Sequence, residues 1–86
     1  MTDRPARRGD LDINAVSDGY VVYDPHADRV HYLNQTAAVV LELCTGDLTE
    51  PEIAASLQSA YGLDEPVDQA VADCLQQFRR ERLLSA

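Results

Sequence analysis

The sequence predicts a single small domain of the α+β class, in which a three-stranded antiparallel meander is followed by three helices. Short runs of alternating or β-branched residues, separated by turn residues, occupy the first part of the chain. The rest of the chain carries apolar residues at helical spacing, together with helix-capping signals. The chain has 86 residues, of which 45% are hydrophobic, and this is enough for one modest core.

The first strand is expected over residues 11–16, where apolar and polar side chains alternate as in a strand with one buried face. The preceding residues 1–10 are polar and rich in arginine, so we expect a disordered arm there and a folded domain over residues 11–86. Gly19 ends the turn after this strand, because glycine adopts a positive φ without steric cost.

A β-hairpin is expected next, with strands over residues 20–24 and 29–33 joined by the turn sequence DPHAD. Along the second of these strands, Val30 and Tyr32 share one face of the sheet and His31 lies on the other. Because sequential strands with short connections usually pair as neighbours, the third strand of the meander is expected at an edge of the sheet.

Three helices are expected after the hairpin. Asn34 caps the first of them, over residues 35–44, because its side-chain oxygen can accept from the free N–H groups of the first turn. Thr49 and Glu52 form a capping box for the second helix, which ends at Gly62.

The third helix is expected to start at the sequence Asp64-Glu65-Pro66 and to run to about Arg82. Its central apolar stripe is formed by residues at helical spacing, Val67, Val71, Cys74 and Phe78, and Leu75 and Ala70 lie on opposite flanks of this stripe. The second and third helices, joined by a short turn, form a helix-turn-helix. With the strand meander, the whole domain is expected to be winged helix-turn-helix-like.

The charge of the chain disfavours nucleic acid as a partner. The formal net charge is −8, from 15 acidic and 7 basic residues, and all the basic residues are arginine. A DNA-reading helix needs basic or amide side chains at its exposed start. Here that part of the third helix carries carboxylates: Asp64, Glu65, Asp68 and Asp73. Such a surface repels phosphate, so we expect no binding of DNA or RNA.

No constellation for catalysis or metal binding is found in the sequence. Cys44 and Cys74 lie far apart without a CxxC pair, and His26 and His31 are the only histidines, so a zinc site lacks its ligands. Neither histidine has a nucleophile nearby in the sequence, and no phosphate-binding glycine loop is present. We therefore expect a protein that is not an enzyme, binds no metal and needs no cofactor.

The sequence indicates a cytoplasmic protein. Its start, MTDRPARRGD, has no apolar segment of the kind found in signal peptides. The longest apolar run, over residues 37–41, is far too short to cross a bilayer.

The expected edge strand, residues 29–33, is the main functional feature. It contains no proline or glycine and only one full charge, so little protects its free backbone groups from pairing. One interpretation is that a partner subunit or the N-terminal arm covers it. The other is that the strand captures a peptide by strand addition, with main-chain bonds providing affinity and side-chain pockets providing specificity. The residues themselves leave these two interpretations equally open.

Three pieces of the sequence carry a resemblance to a known family. They are the run GYVVYDPHADRVHYLNQTAAVVLELCTG, the run TEPEIAASLQSAYG, and the third-helix pattern of Val71, Cys74-Leu75, Phe78 and Leu83-Leu84. In this order they resemble the PqqD-like family of small stand-alone RiPP recognition elements, also described as peptide chaperones. The resemblance covers residues 11–84.

The resemblance implies a binding mode and a site. The leader segment of a ribosomally made precursor peptide would add as a strand to the third strand and lie in the groove beside the third helix. Carried over by position, the strand contacts are Arg29, Val30, His31 and Tyr32, and the helix wall comes from Val71, Cys74, Leu75 and Phe78. The implied role is in natural product biosynthesis, with pyrroloquinoline quinone (PQQ) as one product. The precursor is delivered to a modifying enzyme, often a radical S-adenosylmethionine (radical SAM) protein.

The chain departs from the family pattern at three positions. Many members have an acidic residue where Ala70 stands, a large apolar residue where Cys74 stands and glycine where Arg82 stands.

Two other function classes stay open at this point. One is a winged-helix transcriptional regulator, dimeric through the same edge strand, since an exposed edge can also pair with its own copy. The other is a docking subunit that binds a folded protein rather than a peptide.

Overall fold

The computed structural model describes residues 4–62 and 67–85 of the chain. Three strands and three helices follow one another along these residues. They are β1 (Asp12–Val16), β2 (Gly19–Asp24), β3 (Arg29–Asn34), α1 (Gln35–Leu43), α2 (Glu50–Tyr61) and α3 (Asp68–Arg80). The α+β class and the order of elements expected from the sequence are therefore confirmed. Within the described residues, no helix is both long enough and apolar enough to span a membrane.

The strands form one antiparallel sheet in the order β1-β2-β3. In the register of the hairpin, Tyr20 lies opposite Leu33 and Val22 lies opposite His31. Within the described part of the chain, β3 pairs only with β2, so it is an edge strand, as the sequence predicted.

Gly19 is required where β2 begins. A Cβ atom added to this residue would lie 1.8 Å from the backbone oxygen of Leu33, which no side chain can tolerate. At this position the backbones of β2 and β3 therefore leave room only for glycine. The same distance shows that the carbonyl group of Leu33 points toward β2.

The first two helices begin at the capping residues that the sequence indicates. Asn34 ends β3 and caps α1 without a linker, because its Oδ1 accepts from the N–H of Ala37 at 2.8 Å. At α2, the N–H of Thr49 donates to Glu52 Oε1 at 2.8 Å, and the N–H of Glu52 donates back to Thr49 Oγ1 at 3.4 Å. This reciprocal pair is the capping box.

The third helix differs from expectation at its C-terminal end. The expected start at residues 64–66 lies outside the described residues, and α3 ends at Arg80 rather than near Arg82. Arg82 has a φ of 59°, and the N–H of Leu83 donates to the carbonyl of Phe78 at 2.8 Å. This is a Schellman-type end, which turns the chain back on the helix. Leu83 and the residue after it then enter the core.

The core lies between one face of the sheet and the three helices. Its fully or nearly fully buried side chains come from every element except β1, and they include Val22, Leu33, Val40, Leu41, Cys44, Ile53, Leu57, Val71, Leu75, Phe78 and Leu83. The opposite face of the sheet is not covered by any helix, because all three helices pack on the core side. The domain therefore has two layers, one of strands and one of helices.

The backbone of residues 5–8 is paired, in contrast to the disordered arm expected over residues 1–10, of which residues 1–3 lie outside the described residues. The N–H of Arg7 donates to the carbonyl of Cys44 at 2.8 Å, and the N–H of Arg8 donates to the carbonyl of Leu83 at 3.0 Å. Ala6 accepts from the N–H of Ser85 at 2.7 Å. The polar composition suggested a solvated tail, but carbonyls after α1 and near the C-terminus supply partners for its backbone.

Candidate functional site

A groove opens between the edge of the sheet and α3. The first helix packs against both β2 and β3, whereas α3 packs against α1 and α2. No Cα atom of α3 lies within 8 Å of a Cα atom of β3. Part of the space between them is a cleft of about 420 Å³, lined by Asp18, Tyr32, Leu33, Asn34, Ala37 and Gln77.

The backbone of β3 offers hydrogen-bonding groups to this groove. The carbonyl of Leu33 points toward β2, and backbone groups of successive strand residues point to opposite sides. His31 therefore also directs its backbone toward β2. It follows that Val30 and Tyr32 direct their N–H and C=O groups to the open edge, where no other strand of the described chain pairs with them.

The side chains of β3 alternate between the two faces of the sheet. Val30 and Tyr32 lie on the uncovered face, with exposed fractions of 59% and 78%. His31 is only 8% exposed, because it faces the helix layer as Leu33 does. Arg29, the first residue of the strand, is exposed. All four strand residues named from the sequence thus lie on the edge strand, but on different sides of it.

The helix residues named from the sequence divide into two groups. Val71, Leu75 and Phe78 have no exposed surface and belong to the core, so their side chains cannot contact a ligand in the groove. Cys74 is partly exposed.

Gln77 faces the cleft beside β3 and was not identified from the sequence. The signal available for it was its helical spacing from Cys74, which places the two side chains on one flank of α3.

One side-chain contact links β3 to the end of α3. His31 Nδ1 lies 3.3 Å from Glu81 Oε2, immediately after the last helical residue. The other ring nitrogen of His31, Nε2, is buried and has no hydrogen-bond partner among the described residues. A buried polar atom without a partner lowers the stability of the fold.

The cysteines provide apolar surface rather than reactive chemistry. Burial raises the pKa of the Cys74 thiol, and it raises that of Cys44 to about 11, so both stay protonated at neutral pH. Cys44 Sγ donates to the carbonyl of Val40 at 3.2 Å. Across residues 4–62 and 67–85, no group of three or more His, Cys, Asp and Glu side chains is placed to hold a metal ion.

Comparisons with known proteins find a matching family and a similar solved fold. The sequence matches the family described as Coenzyme PQQ synthesis protein D (PqqD) over residues 19–84. A search among curated proteins finds no match. Among solved structures, the fold is similar to that of TbiB1 in complex with the TbiA(beta) leader peptide. The TM-score is 0.78 with 17% sequence identity, and the alignment covers 94% of this chain and 95% of that chain.

Proposed function

The chain belongs to the PqqD family, and from this premise we propose that it is a non-catalytic recognition module for the leader segment of a ribosomally synthesised precursor peptide. The similarity in fold to TbiB1, which was solved in complex with a leader peptide, supports this choice of ligand. The observation that carries the proposal is the unpaired edge of β3 beside an open groove.

The leader segment binds by strand addition to β3. Its main chain exchanges hydrogen bonds with the outward-facing groups of Val30 and Tyr32, which extends the sheet by one strand. This mode requires an extended peptide and is independent of most of its side chains. It explains why the edge strand has no proline, whose missing N–H would remove one of these bonds.

Side chains of the added strand contact two different surfaces of the protein. Those on the inner side face the wall formed by Cys74, Gln77 and Glu81, with His31 beneath them. The fully buried Val71, Leu75 and Phe78 support this wall from the core. Those on the outer side lie beside the exposed side chains of Val30 and Tyr32, where apolar or aromatic residues pair best across strands. Specificity therefore comes from two sets of leader side chains, which alternate between the inner and the outer side of the added strand.

The bound precursor is then presented to a modifying enzyme, such as a radical SAM protein. The recognition module itself contributes no catalytic group and no cofactor to the reaction. Its contribution is to raise the local concentration of the precursor at the enzyme.

The proposal is tested by titrating synthetic peptides, encoded by short open reading frames beside this gene, and measuring affinity calorimetrically. Tyr32→Pro removes an outward N–H and is expected to weaken binding by about tenfold or more. Tyr32→Ala keeps the N–H and separates the contribution of the side chain. Equal affinities for these two variants would contradict strand addition.

A matched backbone control uses the neighbouring residue. His31→Pro removes an N–H that faces β2, so it should destabilise the hairpin, whereas Tyr32→Pro should leave most of the stability intact. Amide NMR shifts on peptide addition should concentrate in residues 29–34 and in α3. Shifts confined to α2 would count against the groove as the binding site.

One observation favours a second function, docking of a folded protein. Val30 and Tyr32 expose large apolar side chains on the uncovered face of the sheet, and a protein partner or a second copy can cover such a face. Sedimentation of the chain alone would detect the dimer. Loss of an enzyme partner in Tyr32→Ala, with peptide affinity preserved, would assign this face to the enzyme.

A further inference from the structure

A second cavity is lined by four of the seven arginines of this acidic protein. The chain has 15 acidic and 7 basic residues. Nevertheless, one cavity of about 640 Å³ is lined by four arginines and by no acidic residue. Its lining consists of Arg4, Pro5, Ala6, Arg8, Arg79, Arg82, Leu84 and Ser85, and we call it the arginine cavity. It shares no residue with the cleft beside Tyr32.

The arginine cavity is held in place by backbone pairing between the two ends of the chain. Ala6 accepts from the N–H of Ser85 at 2.7 Å, and Arg8 donates its N–H to Leu83 at 3.0 Å. Arg8 is fixed further by its side chain, which donates to the carbonyl of Arg82 and pairs with the buried carboxylate of Asp24 at 2.8 Å. The wall of the cavity is thus a fixed element rather than a loose tail.

Arg82 occupies a position at which glycine is the favoured residue. Its φ of 59° belongs to the left-handed region, which a side chain adopts only against steric repulsion. The Schellman-type end of α3 needs this backbone conformation but needs no arginine. Arg82 thus combines a strained backbone with a side chain that lines the cavity, and this combination indicates a binding role for the side chain.

The positive charge of the arginine cavity is only partly neutralised. Arg8 forms salt bridges with Asp10 and Asp24. Arg4 lies near enough to Glu52 to help lower the pKa of that carboxyl, but neither Arg4 nor Arg82 forms a salt bridge with a carboxylate of the described residues. A guanidinium group that forms no salt bridge within the protein can bind a carboxylate or a phosphate with bidentate geometry.

We propose that the arginine cavity docks an acidic segment of a protein partner, at a surface separate from the peptide groove. Carboxylates spaced along a chain match guanidinium groups spread around a cavity, and Pro5, Ala6 and Leu84 provide apolar contact between them. A compact phosphate suits the cavity less well, because it reaches few of the guanidinium groups spread around about 640 Å³, whereas an extended acidic segment reaches several of them. An extended nucleic acid is disfavoured by the acidic remainder of the surface.

The test uses a short peptide of alternating glutamate and alanine at about 150 mM salt, where distant charges are screened. Arg82→Gly and the double variant Arg4→Gln with Arg82→Gly remove cations of the cavity. We expect the double variant to weaken binding of this peptide by about tenfold. Arg82→Gly should also raise the Tm of the protein, because it relieves the left-handed conformation. A structural role alone would not combine higher stability with lower affinity.

Arg80→Gln is the matched control. It removes the same charge from the exposed last residue of α3, two positions before Arg82, but Arg80 does not line the arginine cavity. Equal losses of affinity in Arg80→Gln and Arg82→Gly would overturn the proposal, since they would indicate only a general effect of charge. Inorganic phosphate that competes with the peptide at comparable affinity would overturn it too, because the site would then be a phosphate site. Absence of any binding by the acidic peptide would also overturn it.

Discussion

His31 of β3 and Glu81 after α3 meet across the groove, with Nδ1 of the imidazole 3.3 Å from Oε2 of the carboxylate. The edge of the sheet and the end of the last helix therefore touch at one point, although their backbones stay apart along the rest of the groove. In the proposed binding mode, this contact marks one end of the surface on which the added peptide strand lies.

Replacement of His31 by leucine is expected to change the free energy of unfolding by no more than about 1 kcal/mol. Leucine removes Nε2, which is buried without a partner among the described residues, but it also removes the contact of Nδ1 with the buried Oε2 of Glu81, so the two effects oppose each other. Urea unfolding of His31→Leu would measure the change in the free energy of unfolding.

The neighbouring Leu33→Ala serves as the reference for that experiment. Leu33 is buried on the same face of β3, and its truncation leaves a cavity that should cost about 2–5 kcal/mol. A comparable loss in His31→Leu would show that the imidazole stabilises the fold, contrary to expectation.

Replacement of Gln77 by tryptophan is expected to block the groove. Gln77 is an exposed residue on the flank of α3 that lines the cleft beside Tyr32. A large indole there would fill the space of the added strand, so the affinity for a leader peptide should fall by roughly tenfold or more.

The adjacent Gln76 provides the control, because it is also exposed on α3 but does not line the cleft. Gln76→Trp should bind the peptide like the unmodified protein. Both variants should unfold within about 0.5 kcal/mol of it, since both positions are on the surface. If Gln76→Trp lost as much affinity as Gln77→Trp, the peptide would lie elsewhere on the helix.

Acid is expected to destabilise the fold through Asp24. This carboxylate accepts two hydrogen bonds from Arg8, and together with the N–H groups of His26 and Ala27 they lower its pKa from 3.8 to about 2. Because the folded-state pKa is depressed, Asp24 stabilises the fold above pH 3.8, and this contribution is lost as the pH falls toward about 2.

The measurement is Tm as a function of pH for the unmodified protein and for Asp24→Asn. The variant lacks the titrating carboxylate, so its Tm should be lower near neutral pH, and the two curves should converge between pH 4 and about 2. A difference in Tm that stays constant across this range would show that the Arg8 pair is not linked to folding.

Most of the fold was predictable because it depends on neighbours in sequence. Strand alternation, the turn at Asp24 and the caps at Asn34 and Thr49 all act within a few residues. The edge position of β3 followed from the short connections of the meander. The family pattern in the sequence suggested the class of ligand. The match over residues 19–84 confirms the family.

The flank of α3 that faces the groove was not predictable. A single apolar stripe supplies both the core and the groove wall, and helical spacing alone does not tell which residues are covered. The packing of α3 against α1 and α2 buries Val71, Leu75 and Phe78. Cys74 stays partly exposed, and Gln77 lines the cleft beside Tyr32.

The sequence by itself determined the order of the elements, their caps and the strand left at the edge of the sheet, since these follow from contacts between residues close in the chain. Only the tertiary structure decided that residues 5–8 pair with the ends of α1 and of the chain, and that four arginines surround one cavity. These features join residues from opposite ends of the chain. No local pattern encodes such contacts, because they form only when the packed core brings the two ends together.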